Sequence, residues 1–203
     1  MTTTTNIPRE EFIKDYILLT IHDTAMSAVN HRLMQSQDQI PPGVLFFKVA
    51  NQGARQSYDV CGSLPPSLIS ALCEDHETKR MMMTAIKKVL MGSVDGMEAD
   101  VCLHIQEARA LTIDLKSEED KLVSEQLSKG KVSILQSGRP FKDVVLVNLY
   151  TLAGDYVSMH DVHIDKDGRR YIEKTPLDLT ARMRVSGAMT IDRGDNASEE
   201  KES

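Results

Sequence analysis

Residues 143–172 read DVVLVNLYTLAGDYVSMHDVHIDKDGRRYI, and this segment decides the fold class. Its first ten residues are mostly apolar and rich in β-branched side chains, which is typical of a central strand. Ala153-Gly154-Asp155 and Asp167-Gly168 predict tight turns, because Gly and Asp favour the backbone angles of short hairpin connections. The segment therefore predicts three consecutive strands joined by hairpins, and this part of the sheet is expected to be antiparallel.

The segments before this meander alternate between helical and strand patterns. Apolar residues recur at three- and four-residue steps from Arg9 to about Gln35, which predicts a long first helix. The following segments predict a hairpin over 44–61, a methionine-rich helical region over 64–91 that breaks near Glu74–Asp75, a strand over 99–109, a helix over 117–130 and a short strand over 131–135. The expected fold class is α+β, with a mainly antiparallel sheet packed against the long N-terminal helix and the methionine-rich helix.

Composition divides the chain into a core domain and two polar ends. We predict a flexible N-terminus at 1–8, a single α+β domain at 9–191 and a disordered acidic tail at 192–203. Segment 177–189 fits either a last strand or a partner-binding arm.

Charge and residue usage narrow the class of function. The chain of 203 residues has a net charge of −6, 4% aromatic residues and no Trp, which argues against extended nucleic-acid binding. No apolar run is long enough to span a membrane. Three widely spaced cysteines, Cys61, Cys73 and Cys102, and a start without a secretory signal predict a reducing cytoplasm, with each thiol acting as a small buried apolar side chain.

A candidate metal site lies in the second strand of the meander. Asp161, His163 and Asp165 project from one face of a strand, because side chains alternate there. Carboxylate and imidazole groups are ligands for divalent metals, and a divalent metal ion is the alternative to the expectation of no cofactor. The competing interpretation is that these three residues form the polar, solvent-facing side of a hairpin.

Two further sets of charged residues are candidate ligand-binding residues. Glu107 and Arg109 follow Val101, Leu103 and Ile105 on one face of the strand over 99–109, where they form either a partly buried ion pair or the floor of a pocket. Arg139, Arg169 and Arg170 belong to a late cluster of basic residues that could receive a phosphorylated ligand or form a solvated surface.

Two other patterns have competing interpretations. His22 lies on an apolar stripe of the first helix, where a core histidine is expected more often than a ligand. Met81, Met82 and Met83, with Met91 and Met97, indicate either a plastic core or an adaptable docking surface.

The run from His76 to Glu173 resembles small uncharacterised proteins of phage and bacterial genomes. A charged helix leads into ADVCLHIQEAR, and an apolar strand, DVVLVNLYTL, precedes a hairpin that closes on DGRRYIEK. This layout covers about half of the chain. The resemblance implies no activity and assigns no site residue.

Three hypotheses follow from these observations. The leading one is a non-enzymatic cytoplasmic protein, phage-encoded and homo-oligomeric, that binds a protein or a small ligand, because no nucleotide-binding, serine-hydrolase or zinc-protease motif occurs. The second is a metal-assisted hydrolase that uses Asp161, His163 and Asp165, with Glu107 as a base. The third is a protein that sequesters a phosphorylated ligand or nucleotide with its late arginines.

Overall fold

A computed structural model describes residues 13–52, 55–72, 76–92, 98–114, 116–129, 132, 134–179, 183–186 and 190–193. Within them, the chain forms four α-helices and eight β-strands. The helices are α1 (Asp15–Gln35), α2 (Pro66–Leu72), α3 (His76–Leu90) and α4 (Glu118–Ser128). The strands are β1 (Gly43–Gln52), β2 (Arg55–Leu64), β3 (Val101–Leu111), β4 (Phe141–Tyr150), β5 (Asp155–Ile164), β6 (Arg170–Ile172), β7 (Met183–Ser186) and β8 (Thr190–Arg193).

Six strands form one curled sheet with the order β2-β1-β3-β4-β5-β6. Every neighbouring pair is antiparallel. The expected α+β class, the antiparallel meander and the long N-terminal helix are therefore confirmed. β7 and β8 form a separate two-stranded antiparallel sheet, so a strand occupies part of segment 177–189.

The sheet has two differently covered faces, which we call face A and face B. Face A carries alternate apolar residues of the central strands, such as Leu103 and Val147, and packs against α1. Face B packs the other set, including Phe46 and Cys102, against α2 and α3. Because successive side chains of a strand point to opposite faces of the sheet, each face has its own apolar layer.

α1 buries about half of its circumference against face A. Ile17 and Met26 are both buried although nine residues of helix place them about 180° apart. A flat sheet would contact a narrower arc, whereas a curled sheet contacts the helix from both sides. The apolar residues on more than one face of α1 are therefore explained within a single chain.

α1 also satisfies backbone groups on both edge strands. At β2, the Tyr16 hydroxyl accepts from the Gln56 N–H and donates to the Gln56 carbonyl oxygen at 3.0 Å. At β6, the Asn30 side-chain oxygen accepts from the Ile172 N–H at 3.0 Å. These two contacts are 14 residues apart, or about 21 Å along the helix axis. Five strand spacings of about 4.8 Å give a similar width, so α1 reaches from one edge of the sheet to the other.

Several local signals in the sequence correspond to the observed element ends. Gly92 adopts a φ of 65° after α3, as expected for a helix-terminating glycine. Ser117 accepts a hydrogen bond from the Asp120 N–H at the start of α4, as an N-cap residue does. The predicted break near Glu74–Asp75, between the end of α2 and the start of α3, lies outside the described residues.

Three expectations are wrong. α1 begins at Asp15, because Ile13 and Lys14 are not helical; residues 9–12 lie outside the described part. The short strand expected over 131–135 is absent from its described positions, and a single 3-10 turn follows at Leu135–Ser137. Cys61 is exposed rather than buried, whereas Cys102 is buried as expected and burial raises the pKa of its thiol to about 12. Cys73 lies outside the described residues.

We expect Tyr16→Phe to lower the free energy of unfolding by about 1 kcal/mol, because it removes the hydroxyl that bridges the backbone of Gln56. Urea denaturation measures this change. Tyr171→Phe removes the same atom elsewhere on the sheet and serves as the matched control. Equal stability of the two variants would contradict the edge-capping role.

Candidate functional site

Glu107 forms a buried ion pair with Arg170. Their side chains are 3% and 10% exposed, respectively. β3 and β6 are three strand spacings apart in the sheet order, about 14 Å in a flat sheet. The curl of the sheet therefore brings the two side chains together.

The same pair holds the loop between α1 and β1. The Ile40 N–H donates to Glu107 Oε2 at 2.8 Å, and Arg170 Nη1 donates to the Asp38 carbonyl oxygen at 2.8 Å. Arg170 Nη1 also contacts the Gln37 carbonyl oxygen at 3.3 Å. These backbone contacts surround both charged groups. The arrangement therefore favours the interpretation of Glu107 as part of a structural ion pair rather than as the floor of a pocket.

Arg109 does not pair with Glu107, so that expected pairing is wrong. Its Nε atom lies 3.7 Å from Asp143 Oδ1 on the neighbouring strand. Its guanidinium group also lies over the Phe141 ring, 5.3 Å from the centroid. The carboxylate and guanidinium that end this face of β3 thus have different partners, because the sheet curls Arg170 towards Glu107.

The arginines of the late basic cluster occupy different environments. Arg139 contacts Glu119 at 2.8 Å and Asp120 at 2.7 Å, both in α4. Arg170 is the buried partner of Glu107, whereas Arg169 is exposed in the β5–β6 turn. Phosphate binding by these three residues stays a prediction, and the charges of Arg139 and Arg170 already face carboxylates.

The three candidate metal ligands also have separate contacts. Asp161 Oδ2 accepts from Lys142 Nζ at 2.6 Å, and the His163 ring stacks against Tyr171 with centroids 5.3 Å apart. Asp165 Oδ1 accepts from two backbone N–H groups of the following turn, those of Asp167 and Arg169. Among the described residues, no group of three His, Cys, Asp or Glu side chains could hold a metal ion. Metal binding by Asp161, His163 and Asp165 stays a prediction.

A polar cluster of three buried residues lies between α1 and β5. Ser158 Oγ is 2.8 Å from His22 Nε2 and 2.8 Å from His160 Nε2. The two imidazole centroids are 5.7 Å apart, and His22 is 0% exposed. We call these residues the His–Ser–His cluster. His22 is thus a core histidine with a hydrogen-bond partner, as expected for a histidine on an apolar stripe of a helix.

Sequence reasoning missed Ser158 and His160 as partners of His22. Their positions on β5 differ by two, so both side chains project from face A, and the sequence contains this signal. Their meeting with His22, 136 residues earlier in the chain, depends on where α1 crosses the sheet. Periodicity within one segment does not determine that position.

Burial keeps both imidazoles neutral near pH 7. Loss of solvation lowers the pKa of His22, although Asp23 acts in the opposite direction. The pKa of His160 is lowered to about 4, first by burial and second by the neighbouring His22, while the backbone of Glu173 raises it. Both histidines are therefore hydrogen-bonding groups rather than cations in the neutral pH range.

Together with Asp23, the cluster has the contacts of a serine–histidine–aspartate triad. A substrate, however, has no access to the serine. His22 Nδ1 is 3.5 Å from Asp23 Oδ1, which completes the order Ser158, His22, Asp23. In hydrolases that use this order, the serine oxygen must reach a substrate carbonyl group. Here Ser158 and His22 are buried beneath α1, so the arrangement is suited to holding the helix on the sheet.

Comparison with known proteins gives no match. No protein-family model, curated protein or solved structure matches the chain. Among the described residues, no helix is long and apolar enough to cross a membrane. The contacts and exposure of the described side chains are therefore the basis for a proposed function.

We expect Arg170→Met to lower the free energy of unfolding by about 3–5 kcal/mol, because it leaves the Glu107 carboxylate buried without its cation. The double variant Glu107→Leu/Arg170→Met should recover part of this loss. Urea denaturation of the single and double variants measures both effects. The half-exposed pair Lys142–Asp161 is the matched control, and Lys142→Met should cost less than about 1 kcal/mol. Similar losses in Arg170→Met and Lys142→Met would contradict the importance of the buried pair.

We expect the free energy of unfolding to fall as the pH drops from about 6.5 to about 4. In this window the unfolded chain takes up protons at His22 and His160 more readily than the folded chain does, because burial lowers the pKa of both imidazoles. The unfolded state is therefore favoured by acid, and His160 alone contributes on the order of 3 kcal/mol across the window. Urea denaturation at stepped pH values should give a smaller pH dependence for His160→Gln than for the wild type. An unchanged slope in His160→Gln would show that this histidine is not responsible.

Proposed function

We propose that this chain is a binding protein that docks a protein partner on the outer face of α3. This face comprises Met81, Thr84, Ala85 and Lys88, with Met91 directly after the helix. The observation that carries the proposal is the exposure of both methionines, 65% for Met81 and 53% for Met91. Such large exposed apolar side chains on one helix face are typical of interaction surfaces.

The geometry of α3 separates its core face from its outer face. Met82, Ile86 and Leu90 pack against face B, and each residue advances about 100° around the helix axis. The outer residues Met81, Ala85 and Lys88 lie within about 60° of one another on the opposite side. Met82 therefore fills the core, whereas the exposure of Met81 supports the interpretation of a docking surface.

The outer face has the shape and charge that suit a helix with acidic residues. The small side chains of Thr84 and Ala85 lie between the two methionines, which are about 15 Å apart along the axis. A partner helix can approach closely over small residues while flexible methionines adjust to its side chains. Lys88 is exposed on the same face and would attract a carboxylate of the partner.

The proposal also includes a cytoplasmic location, an origin in a phage genome and self-association as the first form of binding to test. Cys61 and Cys102 are both free, which agrees with a reducing compartment. A second copy of the chain offers exposed acidic residues on α4, including Glu118 and Glu119. These could face Lys88 across an interface.

We expect Ala85→Glu to abolish binding while it leaves the melting temperature unchanged, because the exposed position gains a charge and bulk where the partner must approach. Light scattering after size-exclusion chromatography, over a wide concentration range, measures self-association. Chemical cross-linking followed by mass spectrometry identifies other bound proteins. Leu122→Glu changes an exposed apolar residue of α4 and is the matched control.

The two variants separate the possible outcomes. Loss of the wild-type assembly in Ala85→Glu but not in Leu122→Glu would support docking on α3. A monomeric wild type that loses a cross-linked protein only in Ala85→Glu would support a different partner. Identical assemblies and identical cross-linked proteins in all three chains would overturn the proposal.

A further inference from the structure

The outer edge of β2 carries backbone groups that no described strand pairs. β2 is the first strand in the sheet order and, among the described strands, pairs only with β1. The backbone groups of an edge strand point alternately towards its neighbour and away from it. Every second residue of β2 therefore presents an N–H and a C=O group outwards.

The contact with α1 identifies which residues of β2 point outwards. The Tyr16 hydroxyl accepts from the N–H of Gln56 and donates to its carbonyl oxygen, so the backbone of Gln56 points away from β1. Alternation then places the N–H and C=O groups of Tyr58 and Val60 on the same outer side. Tyr16 thus caps the first of three outward residues.

Contacts of β1 agree with this assignment. Val49 and Phe47 lie opposite Tyr58 and Val60, respectively. The Val49 N–H donates to Asp100 Oδ2 at 2.9 Å, and the Phe47 carbonyl oxygen accepts from the Asp100 N–H at 2.8 Å. Both residues of β1 thus direct their backbone towards β3. Their partners on β2 are non-hydrogen-bonded pairs, which point their own N–H and C=O groups outwards.

The regular part of this outer edge is short. It begins after Gln56 and ends at a β-bulge, where Cys61 faces no residue of β1. A bulge interrupts the regular spacing of outward groups. The stretch therefore offers four hydrogen bonds to an antiparallel strand, two at Tyr58 and two at Val60.

The side chains of the stretch are apolar on one face of the sheet and acidic on the other. Tyr58 packs against the core on face A. Val60 lies on the same face, opposite Phe47, and is 60% exposed. Asp59 points to face B, because successive side chains alternate, and it is exposed there.

The charge around Asp59 is negative. Lys48 lies opposite Asp59, but its Nζ is 3.0 Å from Glu98 Oε2 and 3.6 Å from Asp100 Oδ2. Three carboxylates thus surround one lysine. In the part of the chain that the structure describes, Asp59 has no ion-pair partner. Arg55 is four residues earlier on the same strand, about 13 Å away.

A second copy of β2 does not fit this edge. The register that uses all four hydrogen bonds pairs Tyr58 of each copy with Val60 of the other. It places the two Asp59 side chains directly opposite each other, and like charges in that position are destabilising. Asp59 therefore protects the edge against self-pairing, whereas a strand of opposite charge is attracted to it.

We propose that Tyr58 and Val60 bind an extended segment of another protein as an additional antiparallel strand, with a lysine or arginine of that segment opposite Asp59. In strand addition, main-chain hydrogen bonds provide the affinity and alternate side chains provide the specificity. The basic residue meets the carboxylates of face B, and its apolar neighbours cover Val60 on face A. This surface is separate from the outer face of α3 and does not depend on docking there.

NMR titration of the full chain with blocked five-residue peptides tests this proposal. The probe is acetyl-Thr-Val-Lys-Val-Thr-amide, and the matched peptide has Glu in place of Lys. We expect saturable shifts of the Tyr58 and Val60 amides with a dissociation constant of about 1 mM, as four hydrogen bonds would give. The Glu peptide should bind about fivefold more weakly. The charge-reversed variant Asp59→Lys should invert this preference.

N-methylated forms of the Lys peptide separate strand pairing from charge attraction. Methyl groups on both valine nitrogens remove the N–H groups that face β2 and should abolish binding. A methyl group on the lysine nitrogen, which points away from β2, should not. Equal binding of the two methylated forms, equal binding of the Lys and Glu peptides, an unchanged preference in Asp59→Lys, or unshifted Tyr58 and Val60 amides at about 5 mM Lys peptide would each overturn the proposal.

Discussion

The insertion of α1 into the hollow of a curled sheet is the constraint on which the rest of the structure depends. A six-stranded sheet has two edges, and each edge carries backbone groups that need partners. α1 supplies such partners at both edges, through Tyr16 and Asn30, and buries about half of its circumference between them. One element therefore closes face A, caps β2 and β6, and fixes how far the sheet curls.

The polar groups enclosed by this arrangement fall into two electrostatic types. Glu107 and Arg170 are a neutralised ion pair that also holds backbone groups of the α1–β1 loop. His22, Ser158 and His160 are uncharged near neutral pH because burial lowers the pKa of both imidazoles. The cluster is therefore sensitive to acid. Face A consequently contains the contacts that hold α1, and face B supports the helix whose outer surface we propose as a docking site.

The sequence predicted most elements because their signals are local. Alternation over 99–109 identified β3, the apolar and β-branched run over 143–152 identified β4, and the turn at Ala153-Gly154-Asp155 identified β5 as the next strand. Gly92 and Ser117 marked helix ends. The expected strand over 131–135 failed because five residues are too few for their pattern to distinguish an extended segment from a turn, even though three of them are apolar. Among the candidate site residues, Glu107 and Arg170 were identified individually but not as partners. Their contact spans 63 positions and depends on the curl of the sheet.

The sequence by itself determined the α+β class, the antiparallel meander, the long first helix and which residues share a face of each strand, because helical and strand periods are properties of single segments. Only the tertiary structure decided that α1 lies inside the sheet, that Arg170 pairs with Glu107 while Arg109 pairs with Asp143, and that His22 meets Ser158 and His160. The physical reason is that each of these contacts joins strands or helices whose relative positions are set by the curl of the whole sheet. Neither the strand order nor that curl is encoded in any one segment.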